Sequence, residues 1–282
     1  MKIYIFLLLI FTMFMQKTKG DEVKVISFNI RYGTADDGKN SWSFRKNIVF
    51  EFINEENADF LGLQEAMIFQ IEEILEHCPG YDYVGRTREI DGKSGEATPL
   101  LYKPENWKLI DYDTRWLSET PDIPGSKSWD SSLPRVFTYA KFRRKSDDRE
   151  IVVYNTHYDH ISAWARHESS KTIISHMKQQ YGQEDIFLLG DFNALETSEP
   201  ITYLLNNDVM ALHDVYRDIY KTENENDMTF YGWNDHIPGT GKRLDYIFYT
   251  GNIIPQKAYV SNFNKEEQYP SDHMPVVATF SF

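Results

Sequence analysis

The chain has 282 residues, 41% of them apolar and 15% aromatic, enough for one large layered domain. With 43 acidic against 30 basic residues and a net charge of −13, it carries no broad basic face of the kind that grips nucleic acid by counterion release, so a polyanionic substrate must be held locally, by metal ions and a few arginines. A single cysteine, Cys78, excludes an intrachain disulfide.

Met1-Lys2, the apolar run Ile3 to Met15 and the polar residues 16–20 have the pattern of a secretory signal peptide. The apolar run is thirteen residues long, short of the roughly twenty that span a bilayer. A secreted or periplasmic protein is therefore expected, with residues 21–282 as a single monomeric domain and no stable membrane span. Anchoring through the N-terminal segment is the alternative.

Val23 to Ile30 is β-branched and apolar and reads as a buried strand ending at Asn29. Phe44, Ile48, Phe52 and Ile53 recur at helical spacing behind Ser41 or Ser43, and Ala58 to Gln64 returns as a strand ending at Glu65. A second helical pattern, Ile68, Ile71 and Leu75, stops at Cys78-Pro79-Gly80. Short strand-like runs follow at 81–85, 98–102 and 107–112, then a surface loop at 118–134 rich in Pro, Ser, Gly and Asp. Strands resume at 138–143 and 151–156, and the second half echoes the first. A strand runs to His157, a helix covers about 163–180, a strand covers 186–190 before Asp191, and a helix lies near 200–206. Two last strands occupy 244–249 and 276–280. Strands with intervening helices and hairpin-length gaps suit two sheets packed face to face with helices outside, rather than one parallel sheet.

Asn29, Glu65, His157, Asp191, Asn193, Asp245, Asp272 and His273 all fall at strand ends, which meet at one rim. Carboxylates, carboxamides and imidazoles gathered there suit a hard divalent cation and an in-line phosphoryl displacement. Singly, each has a bland reading. Asn29 reads as a strand-end turn and Glu65 as the N-terminal charge of a helix. In Gly190-Asp191-Phe192-Asn193, an acid and an amide two apart on an extended segment face one side, against the alternative of an Asx-turn. Asp245 is well placed to orient the imidazole of His273. Arg31 and Arg166, with Arg86 and Arg135, are candidate phosphate clamps, against surface ion pairing. Trp42, Trp116 and Trp129 are candidate stacking walls, against ordinary packing.

Taken in order, Ser27-Phe28-Asn29-Ile30, Leu63-Gln64-Glu65, Asn155-Thr156-His157, Gly190-Asp191-Phe192-Asn193, Leu244-Asp245-Tyr246 and Ser271-Asp272-His273 resemble the endonuclease/exonuclease/phosphatase superfamily over essentially the whole mature chain. The resemblance implies a DNase I-like α/β (α+β) four-layered sandwich, two mainly antiparallel sheets packed face to face and flanked by helices. It implies Mg²⁺ (or Mn²⁺) held chiefly by Glu65 with Asn29 and Asp272 close by. Asp245 would orient His273, which with Asp191 handles the attacking water, either of the two being the base. Asn193 and His157 would stabilise phosphoryl oxygens or assist the leaving group. Trp42, Arg45, the loop 116–121 and residues 155–160 look like a branch related to the deadenylase and nocturnin nucleases, although Tyr158 stands where that branch usually has Leu or Phe.

The expected activity is that of a secreted, divalent-metal-dependent phosphoester hydrolase, a phosphodiesterase or nuclease or else a phosphatase, whose substrate could be nucleic acid, a nucleotide, an inositol phosphate or a lipid. The alternatives are a catalytically silent binding or toxin module on the same fold and a sphingomyelinase-like lipid phosphodiesterase. For the latter, Tyr231-Gly232-Trp233 is the one hint of a membrane-facing aromatic patch.

Overall fold

The computed structural model describes residues 22–210, 212–234 and 239–282. The expected signal peptide lies outside the described residues. The first half contains β1 (Glu22–Asn29), α1 (Trp42–Glu56), β2 (Phe60–Gln64), α2 (Ile68–His77), β3 (Asp82–Val84), β4 (Leu100–Tyr102) and β5 (Trp107–Trp116). Then come β6 (Val136–Arg144), β7 (Glu150–His157), α3 (Ala163–Tyr181), β8 (Asp185–Asp191) and α4 (Glu199–Asn206). The chain closes with β9 (His213–Asp214), α5 (Val215–Ile219), β10 (Asp245–Tyr249), β11 (Ile254–Val260) and β12 (Val276–Ser281).

These strands form two six-stranded sheets, in the orders β11-β12-β1-β2-β4-β3 and β5-β6-β7-β8-β10-β9. Each is antiparallel apart from one central parallel pair, β1 with β2 and β7 with β8. A parallel pair needs a long crossover, and α1 and α3 supply it, so the echo between the two halves of the sequence is two strand-helix-strand units at corresponding places.

Alternation along the central strands sorts residues between layers. Val25, Phe60, Val153, Phe187 and Phe280 join the core shared by the sheets. Ile26, Phe28, Leu61 and Leu63 pack outward against α1 and α2, and Val152, Tyr154, Leu188 and Phe248 pack against α3 and α4. The outcome is the expected helix, sheet, sheet, helix sandwich. Its central strands are buried on both faces, which is why they read as continuous apolar runs.

Inside the sandwich one amide braces the two sheets. Asn155 of β7 donates from Nδ2 to the carbonyls of Leu63 (2.7 Å) and Pro99 (2.9 Å) and accepts from Gln64 Nε2 (2.6 Å). Gly62 makes room for it, because a Cβ there would lie 2.7 Å from Asn155 Oδ1. Asn155 thus serves the fold that carries the neighbouring His157.

The expected elements are present, with three differences of extent. β5 continues to Trp116 past a bulge between Leu109 and Asp111, because β6 pairs with it along its length. The 118–134 stretch is irregular, as expected, but it is tied down where Ser131 and Ser132 bond Asp159. Strands β9 and β11 and helix α5 are additional.

Candidate active site

The C-terminal ends of β1, β2, β7 and β8 and the N-terminal end of β10 converge on one rim, joined by the turn that leads into β12. Asn29 closes β1, Glu65 follows β2, His157 closes β7, Asp191 closes β8, Asp245 opens β10, and Asp272-His273 precede β12. In the second sheet Asp191 is the direct ladder partner of both His157 and Asp245. The first sheet meets it through Asn29, whose Nδ2 donates to Glu65 Oε1 (3.1 Å) and to Asp191 Oδ2 (3.0 Å).

Three rim residues are held in the left-handed region, Arg31 (φ 55), Glu65 (φ 57) and Asn193 (φ 47). L-residues pay about 1–3 kcal/mol for such conformations, which persist where surrounding contacts over-determine them. The Glu65 carboxylate accepts the Tyr32 N–H at 3.1 Å, and Asn29 Oδ1 accepts the Arg31 N–H at 3.0 Å. The Asn193 N–H bonds Asp191 Oδ1 at 2.8 Å and its Nδ2 donates to the Tyr158 carbonyl at 3.1 Å. Asp191-Phe192-Asn193 is therefore an Asx-turn rather than an extended segment with both side chains on one face, the tight turn carrying the chain away from the end of β8.

Around Asp191 stand two buried imidazoles. His157 Nε2 lies 3.6 Å and His273 Nε2 3.7 Å from the same oxygen, Asp191 Oδ2. His273 Nδ1 is 2.9 Å from Asp245 Oδ2, which also accepts the Thr229 hydroxyl at 2.6 Å. Thr229 Oγ1 in turn accepts the N–H groups of Leu244 and Asp245, both at 3.0 Å.

Burial and crowding set the charges. Burial, with the Asp245 charge behind it, pushes the Asp191 carboxyl up to about 7. For His273 burial acts downward but is outweighed by Asp245 and Asp191, which lift the imidazole to about 10. Burial, then Arg135 and Arg88, hold His157 well below its ordinary value, so it is neutral. Asp272 is raised by burial and by the Glu65 charge, against the pull of His273.

All eight rim residues expected from the sequence are thus brought together, while the two arginines are not equivalent. Arg31 lies beside the cluster, its Nη1 3.9 Å from Glu65, but its guanidinium is clamped by Asp37 through two bonds of 3.0 Å. Arg166 on α3 donates to the Asp159 carbonyl at 2.9 Å and supports the loop after His157. The Trp42 and Trp116 indoles bond Glu73 and the Arg88 carbonyl and belong to the packing. Tyr231 and Trp233 are half-buried, and among the described residues no helix is long and apolar enough to cross a membrane.

Two contributors escaped the sequence reading. Thr229 lies in an irregular stretch with no periodic signal, and Arg88, paired through two bonds (2.8 and 3.0 Å) with Glu96, joins the basic wall beside His157. Arg45 is fully buried and bonds the carbonyls of Ile30 (2.7 Å), Arg31 (2.9 Å), Asn40 (2.9 Å) and Pro270 (2.8 Å), tying the segment after β1 to the one before Ser271.

The donor set suits a hard cation in two places. Glu65 and Asp272 offer carboxylate oxygens, of which Asp272 is raised first by burial and then by the Glu65 charge, and carboxylate oxygens are the ligands a hard divalent ion takes. Asp191, Asp245 and His273 also offer ligand atoms within 4.8 Å of one another. In that second group His273 Nδ1 and Asp245 Oδ2 are already bonded to each other.

Comparison with known proteins agrees with this geometry. The family model described as the Endonuclease/Exonuclease/phosphatase family matches residues 26–273. An endonuclease/exonuclease/phosphatase from Bacteroides vulgatus has the same fold, with a TM-score of 0.86 and 31% identity over 93% of this chain and 99% of that one. The mannosyl-6-phosphatase of Bacteroides thetaiotaomicron aligns with a TM-score of 0.81 and 29% identity over 92% of this chain and 100% of that one. Nocturnin of Drosophila melanogaster is 25% identical over 93% of this chain, which spans only 47% of the fly protein. A match running from within β1 to His273 takes in every strand end that supplies the rim, and the chain belongs to the endonuclease/exonuclease/phosphatase family, as a hydrolase of phosphoric esters.

Proposed function

We propose that the protein is a secreted, Mg²⁺- or Mn²⁺-dependent hydrolase of small phosphomonoesters. The observation that carries the reading is the single carboxylate oxygen, Asp191 Oδ2, bracketed by two imidazole nitrogens at 3.6 and 3.7 Å and by the Asn29 amide at 3.0 Å. The Asn29 amide is hydrogen-bonded to that oxygen, whereas the two imidazoles stand beyond hydrogen-bond length from it, so each Nε2 can turn to a water or a phosphoryl oxygen placed beside Asp191.

Asp191 accepts a proton from the attacking water, whose oxygen bonds to phosphorus as the ester P–O bond breaks; the leaving alkoxide takes a proton from solvent water, to which Asp191 afterwards returns the one it accepted. His273, held in its tautomer by Asp245 and Thr229, keeps an Nε2–H for a phosphoryl oxygen, and neutral His157 and the Asn193 amide donate beside it. The cation, seated by Glu65 and Asp272 with Asn29 adjacent, supplies neutralisation of phosphoryl charge when bound.

The small-substrate reading rests on the net charge of −13 and on likeness along the whole chain to a mannosyl-6-phosphatase, where the nocturnin match covers half of that protein. Secretion rests on the signal-peptide pattern of residues 1–20. N-terminal sequencing of protein recovered outside the cytoplasm tests it, and an uncleaved Met1 there refutes it. For the chemistry, phosphate release from monoesters and diesters is measured with Mg²⁺, with Mn²⁺ and with EDTA. Metal-stimulated monoesterase activity, reduced about 10³-fold in Asp191→Asn, is expected; equal activity in that variant refutes the assignment.

A further inference from the structure

Along the segment that leads into Ser271-Asp272 lies an open cavity of about 830 Å³, within the size range of small-ligand pockets. Its walls come from the two segments that flank the cation side. One leads from Glu266 to Tyr269 and directly on to Ser271-Asp272, and the other is the turn at Lys39-Asn40 that precedes α1. They are fastened together where Gln268 Nε2 donates to the Lys39 carbonyl at 3.1 Å and where Arg45 holds the Asn40 and Pro270 carbonyls. Trp233 closes a third side. Arg45 lies over its ring at 5.6 Å, and its backbone neighbour Tyr231 donates N–H to the Asp272 carbonyl at 3.3 Å.

The lining combines aromatic rings with uncharged amides and carboxylates. Phe44, 65% exposed, and the Trp233 and Tyr269 rings provide apolar faces, and Asn234 and Gln268 provide amides. Glu266 and Glu267 occupy the two central positions of a tight hairpin turn, both left-handed (φ 51 and 65), closed by paired Lys265 and Gln268 backbone bonds of 3.0 and 2.8 Å. Asn-Gly is the usual occupant of such a turn. The Lys265–Glu51 ion pair at 2.7 Å spans from the turn to α1 on the surface, so the backbone that carries the two exposed glutamates is preformed.

With Glu266 and Glu267 against Lys39 the formal charge of this lining is −1, which repels a phosphodiester backbone. Rings offer faces to the C–H surface of a saturated ring, and amides and carboxylates pair with adjacent hydroxyls. We propose that this cavity is the leaving-group subsite of the hydrolase and that it takes an uncharged, hydroxyl-rich sugar ring. The proposal rests on the phosphomonoesterase reading above and names the alcohol half of its substrate.

The test has a catalytic and a binding arm. Phosphate release with Mg²⁺ is compared for a hexose 6-phosphate, glycerol 2-phosphate and adenosine monophosphate. Binding of the free hexose to metal-free protein is followed by calorimetry. The hexose phosphate is expected to exceed glycerol 2-phosphate in kcat/KM at least 100-fold. Phe44→Ala and Glu267→Gln, both at exposed positions of the lining, should each lower that ratio at least 10-fold and weaken hexose binding to a similar degree. A ratio near one in the wild type overturns the proposal, as does preference for adenosine monophosphate or a ratio unmoved by both variants. Hexose binding without any phosphate release upholds the subsite and refutes the hydrolase reading instead.

Discussion

Replacing Asp245 by Asn removes one charge and almost no volume from the wall behind His273. Oδ2 of Asp245 receives two bonds, from His273 Nδ1 at 2.9 Å and from the Thr229 hydroxyl at 2.6 Å, in a fully buried setting. Bonds to charged groups contribute about 1.5–3 kcal/mol each, and a carboxamide keeps only neutral versions or turns its NH₂ toward the imidazole. The expected loss is therefore about 3–5 kcal/mol of preorganisation at His273. At about 1.4 kcal/mol per decade this is a fall of roughly 10²–10⁴ in kcat, with KM changing little because the group lies behind the imidazole. Steady-state phosphate release at saturating substrate and cation measures it. Thr229→Val, which leaves the charge in place, is expected to cost about tenfold. If Asp245→Asn keeps kcat within threefold of wild type while melting normally, Asp245 does not orient His273.

Arg45→Lys leaves a cation but cannot satisfy four carbonyls with one ammonium; a loss of about 3–5 kcal/mol in urea unfolding is expected, and an unchanged midpoint would show that the two segments it joins are held by other contacts. Asp159 is buried, yet its carboxyl is held below the usual carboxylate range, because burial is outweighed by the Ser132 hydroxyl, the Ser162 and Ile161 N–H groups and Arg135. A depressed folded value contributes stability above the ordinary carboxylate range near pH 4 that is lost as the pH falls. Asp159→Asn should therefore lower Tm at pH 7 and flatten the acid limb of a stability–pH profile, and parallel acid limbs would contradict this. Divalent cation should raise Tm by mass action, by several degrees at millimolar Mg²⁺ or Mn²⁺. Glu65→Gln and Asp272→Asn should abolish that rise, whereas a rise that persists in both and vanishes in His273→Ala would move the seat to the Asp191 group.

The central strands were readable because burial on both faces leaves an uninterrupted apolar signature, as at Phe187-Leu188-Leu189. β11 was not, since Ile254-Pro255-Gln256-Lys257 sits on a sheet edge, mostly exposed, and is fixed by pairing with β12 rather than by its own composition. Likewise β9 and α5 are too short to show a period. In the site, residues at strand ends were legible because a strand's end is visible in sequence. The turn at Asn193 does not show in the sequence, because extended and left-handed backbone are both open to Asp-Phe-Asn and only the bond to Asp191 chooses between them. Thr229 and Arg88 act through partners 16 and 8 residues away, and no local pattern announces such pairings.

The bond from Asn29 to Asp191 has a consequence for how the protein fails on heating. It joins the two sheets at the point of catalysis, and the Asn155 brace lies on the same inter-sheet seam. Neither sheet holds a working site alone, so the catalytic rate reads the docking of two halves, not the integrity of either. A slide of one sheet over the other by less than one residue spacing, about 3.3 Å, leaves every ladder intact and the rim dismantled. Inactivation should accordingly begin at a temperature where far-ultraviolet circular dichroism still reports full secondary structure, and the interval between the two events measures how tightly the seam is sewn.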